Sequence, residues 1–140
     1  MGRFIVTAVA LFLALSPAFA EHYVGIDARL VGDEDDLQPV VDIIKTELNS
    51  LDDVTVLDAT DQATIVLRFN ICEATTEAGR FCGTIIHMAV LVPFQSANAG
   101  RQLLYIADDM GGASLHDCED LIRKMIEGFD SLLKRARNQQ

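Results

Sequence analysis

Hydrophobic and polar positions change period several times along this chain, and each change marks an element. Between His22 and Val31 the two alternate, with Val24, Ile26, Ala28 and Leu30 on one side and Tyr23, Asp27 and Arg29 on the other. That period of two is the mark of a half-buried strand. Gly32-Asp33-Glu34-Asp35-Asp36 ends it. From Leu37 to Leu51 the spacing becomes helical: Leu37, Val40, Val41, Ile44, Leu48 and Leu51 form one stripe, and Pro39 is tolerated in the first turn. The carboxylates before this helix lack the alternating ligands and central glycine of a calcium loop. They read as capping groups that answer the positive end of the helix dipole. Asn49-Ser50 and Asp52-Asp53 stop the helix, Val54–Leu57 is a short strand, and Asp58 to Gln62 is a turn.

The stretch from Ala63 to Phe94 organises the remainder. It predicts two strands, Thr64–Cys72 and Cys82–Phe94, joined by the polar loop Glu73 to Phe81. A cysteine stands at the mouth of each strand. Setting Cys72 opposite Cys82 pairs Phe69 with Ile85, Leu67 with His87 and Ile65 with Ala89, an almost wholly apolar face suited to a core. The same register gathers Arg68, Asn70, Thr84, Ile86, Met88 and Val90 on the second face. Three large apolar residues beside polar ones make this second face a candidate surface for contact with another protein.

After a loop from Gln95 to Arg101, Gln102–Ala107 predicts a strand, and Asp108 to Ala113 breaks it. Ser114 is a helix cap, with Asp117 three residues on in the manner of a capping box. The last helix runs from about Leu115 to Ala136, with a broad stripe that includes Leu121, Ile122, Met125, Ile126, Phe129 and Leu132. The order is β-α-β-β-β-β-α, one α+β domain with a mainly antiparallel sheet and both helices packed on it. This order is similar to that of many small α/β domains in bacterial envelope proteins; no motif is specific enough to name a family.

The first twenty residues are set apart from the fold. Arg3, the apolar run Phe4 to Leu15 and the ending Ala18-Phe19-Ala20 make a cleaved secretory signal peptide, so the domain spans 21–140 and localisation is periplasmic or secreted. The run is too short for a good membrane anchor, and no insertion in a membrane is expected. Of 140 residues, 11 are basic and 21 acidic, a formal net charge of −10. Losing Arg3 leaves 10 against 21, or −11. So acidic a chain repels nucleic acid and anionic lipid surfaces.

Three cysteines in an oxidising compartment predict one bridge, Cys72–Cys82, with Cys118 a free thiol buried on the apolar stripe. His116-Asp117-Cys118 has the residue types of a catalytic triad, but adjacent helical residues point about 100° apart and cannot converge. His22, His87 and His116 show no metal-ligand spacing, and His87 reads as a satisfied strand residue. Met110-Gly111-Gly112 lacks the lysine of a phosphate loop and follows two carboxylates. No cofactor, metal or catalytic residue is expected. The function indicated is non-catalytic: an exported protein that binds another protein or itself, as an envelope accessory or assembly component. An inhibitor or immunity protein for a basic enzyme or toxin is the alternative, and an enzyme of unknown class ranks third.

Overall fold

The computed structural model describes residues 22–31, 37–75, 77–78, 81–113 and 117–138. The signal peptide, the acidic run from Asp33 to Asp36, and Ser114 with His116 lie outside them. Strand β1 (His22–Val31) is followed by helix α1 (Leu37–Asn49) and strand β2 (Val54–Leu57). A helical crossover returns the chain in the direction it left, so β2 lies parallel to β1, with His22 opposite Val54 and Gly25 opposite Leu57. Strand β3 (Ile65–Thr75) runs parallel to β1 on its other side, starting with Val24 opposite Ile65. Strands β4 (Phe81–Ser96) and β5 (Gly100–Ala113) then add antiparallel neighbours, and helix α2 (Cys118–Arg137) closes the chain. The sheet has five strands in the order β2-β1-β3-β4-β5. It is mixed, not mainly antiparallel, because β1 sits between two parallel partners.

The link from β2 to β3 must cross β1, and it does so at Gly25. A 3-10 turn, Thr60–Gln62, forms this strap. A Cβ on Gly25 would stand 3.0 Å from both the Ala63 Cβ and the Thr60 Cα. Only glycine lets the backbone pass that closely. Arg101, near the start of β5, fastens the strap by donating from Nη2 to the carbonyls of Thr60 (2.6 Å) and Ala63 (3.1 Å).

Both helices pack on the opposite face. Val24, Leu67, Phe69, Ile86, Met88 and Val90 from the sheet meet Ile44, Leu48, Ile122, Met125, Ile126 and Phe129 from the helices in one buried cluster. The helix stripes therefore do what their spacing predicts. Helix α1 ends at Asn49, two residues short of the expected boundary, with Ser50 Oγ bonded to the Glu47 carbonyl.

The register of the central hairpin differs from the sequence expectation by three residues. Phe69 faces Met88, Leu67 faces Val90 and Cys72 faces Ile85. An odd shift turns one strand over, because successive side chains alternate between faces. Ile86, Met88 and Val90 therefore point into the helix-covered core, and Thr84 is buried. The six residues expected to share a contact face are split: Arg68 and Asn70 stay on the uncovered side. The disulfide is corrected by the same shift. Cys72 is a free thiol. The Cys82 side chain lies outside the described part, but its backbone stands three residues along β4 from the position facing Cys72. Three residues of strand are about 10 Å, beyond the span of about 7 Å that a bridge tolerates between Cα atoms. Cys118 is also free, but half-buried at the first residue of α2 instead of sunk in the core.

Both outer hairpin strands are longer than the pattern predicted. Strand β5 continues through Asp108 to Ala113, with Gly111 opposite Ile86 and Gly112 opposite Ile85. Gly111 suits this place because a Cβ there would lie 2.5 Å from Leu121 Cδ1 of α2. Pro93 sits in β4 opposite Leu103, beyond the point where β3 begins. A residue without an N–H costs no ladder bond where one neighbour is missing.

Candidate functional site

Among the described elements only the strap crosses the other face of the sheet. Alternation assigns that face Tyr23, Gly25, Asp27 and Arg29 from β1, Val66, Arg68, Asn70 and Cys72 from β3, and Ile85, His87, Ala89 and Leu91 from β4. From β5 come Leu103 and Tyr105, then Asp108 and Met110. The change of parity within β5 follows from an irregularity between Val90 and Leu91, which face Ala107 and Tyr105. One extra residue there keeps Ile106 in the core and brings Asp108 to the open side.

Three features lie on this face. Beneath the strap, Ala63, Val66, Ala89 and Leu91 make a second small core. It seals the end of the sheet where the link crosses.

Beside it, Asp27 binds two arginines. Arg29 donates from Nε and Nη2 to the two carboxylate oxygens at 3.2 and 3.0 Å, and Arg68 donates from Nε at 2.8 Å. Partial burial pushes the Asp27 carboxyl upward, but hydrogen bonds from Arg29 and Arg68 outweigh it and hold the group below its ordinary range. With the strap, these residues border a shallow depression of about 830 Å³ that is also lined by Val66, Arg101 and Leu103.

The third feature is a chain of side chains across β3, β4 and β5. Asn70 Nδ2 is 3.2 Å from His87 Nδ1, and His87 Nε2 is 3.2 Å from Asp108 Oδ2. Tyr105 donates its hydroxyl to the other oxygen, Asp108 Oδ1. If Asn70 donates its amide hydrogen, Nδ1 accepts and Nε2 carries the hydrogen offered to Asp108. Every member is then satisfied. The hydrogen bond from Tyr105, followed by that from His87, holds the Asp108 carboxyl below its ordinary range. The same bond pushes the Tyr105 hydroxyl up.

Around this chain stand exposed hydrophobic groups. Met110 is 69% exposed, Tyr105 52%, Ile85 43% and Leu103 40%. Large apolar side chains grouped at such exposure mark contact surfaces more often than scattered single ones do. The sequence pattern places Ile85 in the core, includes Tyr105 in a strand without marking it as a site residue, and leaves out Asp108 and Met110 by ending that strand at Ala107. Continued alternation through Leu103, Tyr105 and Met110 was the available signal, obscured by the extra residue at Ile106. Among the described residues no group of three or more His, Cys, Asp or Glu is placed to hold a metal ion. No described helix is long and apolar enough to cross a membrane.

No family model and no curated protein matches the chain. Solved structures with some likeness include a dodecameric PelC variant from Paraburkholderia phytofirmans, 12% identical, covering 86% of this chain and 88% of that one at a TM-score of 0.46. A second PelC dodecamer from Paraburkholderia phytofirmans is 13% identical, with 78% and 87% covered at a TM-score of 0.45. The rare lipoprotein B from Shewanella oneidensis is 15% identical, with 80% and 91% covered at a TM-score of 0.30. At that distance the likeness assigns neither a partner nor an activity to this chain.

Proposed function

We propose that this chain is an exported, non-catalytic protein that binds a protein partner through the open face of its sheet, as an accessory or assembly component of the cell envelope. The observation that carries the reading is the asymmetry of the sheet. One face is sealed by two helices. The other presents Tyr105, Met110, Ile85 and Leu103 around the ordered Asn70–His87–Asp108–Tyr105 chain. Contact surfaces favour this mixture of exposed aromatic, methionine and fixed polar groups. Catalytic hydrogen-bond networks gain their strength where water is excluded. Here Asp108 and Tyr105 stand half in solvent, which suits recognition better than acid–base chemistry. The N-terminal segment ending in Ala18-Phe19-Ala20 supports export.

The test is position-specific cross-linking. A photo-reactive residue at position 110 of the exported protein should yield a discrete adduct in cells, and the same residue at position 124, on the solvent side of α2, should not. Equal labelling from both positions, or from 124 alone, contradicts the assignment of the open face.

A further inference from the structure

The depression beside the strap differs in charge from the rest of this acidic chain. Three of its lining residues are Arg29, Arg68 and Arg101. Asp27 neutralises one of the two guanidinium groups that it binds. Those two forks carry about ten N–H donors, whereas one carboxylate accepts about four. Arg101 gives Nη2 to the Thr60 and Ala63 carbonyls, which leave its charge uncompensated. Two further acids border the depression, Asp58 and Asp61. Asp58 is drawn to Lys45 at 3.1 Å, so Asp61 is the one left against two unbalanced arginines. The lining itself balances, three arginines against three aspartates; with Lys45 beside it counted, four cations face three carboxylates, one positive charge over on a chain of formal net charge −10.

We propose that this depression is a subsite for an acidic side chain carried on an extended segment of the docked partner, an inference that rests on the open-face reading above. Guanidinium forks match a carboxylate in geometry as well as charge. The cations here are side chains and not a nest of backbone N–H groups, which is the usual means of capturing a chain end. A polyanion such as nucleic acid meets the repulsion of the whole molecule. A single carboxylate meets chiefly the field within a screening length of about 8–10 Å. The volume falls in the range of about 300–1,000 Å³ seen for binding pockets, and its open side admits a segment running through. Leu103, 40% exposed, offers apolar contact to a residue beside the acid.

The experiment needs no partner. An acetylated and amidated heptapeptide with a central glutamate between leucines is titrated into the domain and followed by amide and arginine Nε–H NMR signals. Shifts should concentrate at Arg68, Arg101 and the strap. A glutamine peptide should bind about tenfold more weakly, as should the glutamate peptide to Arg68→Gln, the order expected for losing a charge-assisted pair. Arg29→Gln leaves Arg68 on Asp27 and should fold normally, with a smaller loss of affinity for the glutamate peptide. Equal affinity for both peptides, or no localised shift up to about 10 mM peptide, overturns the subsite. So does a glutamine peptide with a free C-terminus that matches the glutamate peptide, since the site then takes a chain end. A negative titration with a positive cross-link at position 110 removes the subsite alone; the reverse removes the docking face alone.

Discussion

Met88 and Ile85 stand three positions apart on β4 and have opposite fates, which makes the register open to a direct test. Met88 is 3% exposed between Phe69 and the helices, and Ile85 is 43% exposed on the open face. Met88→Asp removes a buried side chain whose transfer contributes about 1.5–3 kcal/mol. The introduced carboxyl must also be buried without a partner, and at neutral pH it takes up a proton instead. Forcing a group of ordinary pKa near 4 to stay protonated at pH 7 costs about 4 kcal/mol. The neighbouring carboxylate of Asp109, opposite Met88 on β5, gives no relief. The combined loss of about 6 kcal/mol or more reaches the whole stability of many domains, about 5–15 kcal/mol. Ile85→Asp should cost about 1 kcal/mol or less, as a surface change does. Urea unfolding followed by circular dichroism, with size-exclusion chromatography, measures both variants. A register shifted by three residues predicts the reverse order. A Met88→Asp midpoint near wild type, or an equal loss in Ile85→Asp, would refute the face assignment.

Other expectations follow from the same packing. Phe129→Ala, at a fully buried position beneath the sheet, should cost about 3–5 kcal/mol in chemical denaturation. Gly25→Val should lose about 1–3 kcal/mol or more, because the strap presents the Thr60 backbone and not a movable side chain at 3.0 Å; stability equal to wild type would show that the strap lies elsewhere. In a background with Cys82 and Cys118 changed to serine, Ile85→Cys should form a bridge with Cys72 on oxidation, detectable by peptide mapping. His22 is buried with Nε2 unpartnered, and burial, then the Arg137 charge, holds its pKa below 6.5. The unfolded chain therefore binds a proton that the folded chain refuses, so the stability this residue contributes is present above 6.5 and is lost as pH falls below it. His22→Phe should flatten the fall in melting temperature between about pH 7 and 5, and an unchanged slope would place the acid sensitivity in another group.

The sequence by itself determined the elements and little of their pairing. Alternation from His22 to Val31 and the stripes of α1 and α2 were enough to place three elements and the side that each buries. Periodicity reports which residues of one segment share a face. It does not report which residue of a distant segment lies opposite. The hairpin shows the consequence: both registers place an apolar residue against Phe69, Ile85 in the expected one and Met88 in the observed one, because apolar residues stand on both sides of His87. Only packing of α2 over Met88 and Val90 selects one. Strand direction was equally hidden. Gly25 reads as an ordinary break in alternation until the strap from Thr60 to Ala63 crosses it and makes β1 the middle of a parallel trio. The candidate site needed both kinds of tertiary information. Asn70, His87, Tyr105 and Asp108 come from three strands and meet only in this register, with one extra residue at Ile106 turning Asp108 outward. Local periodicity carries no signal for such a meeting, because its cause lies in contacts between segments far apart in the chain.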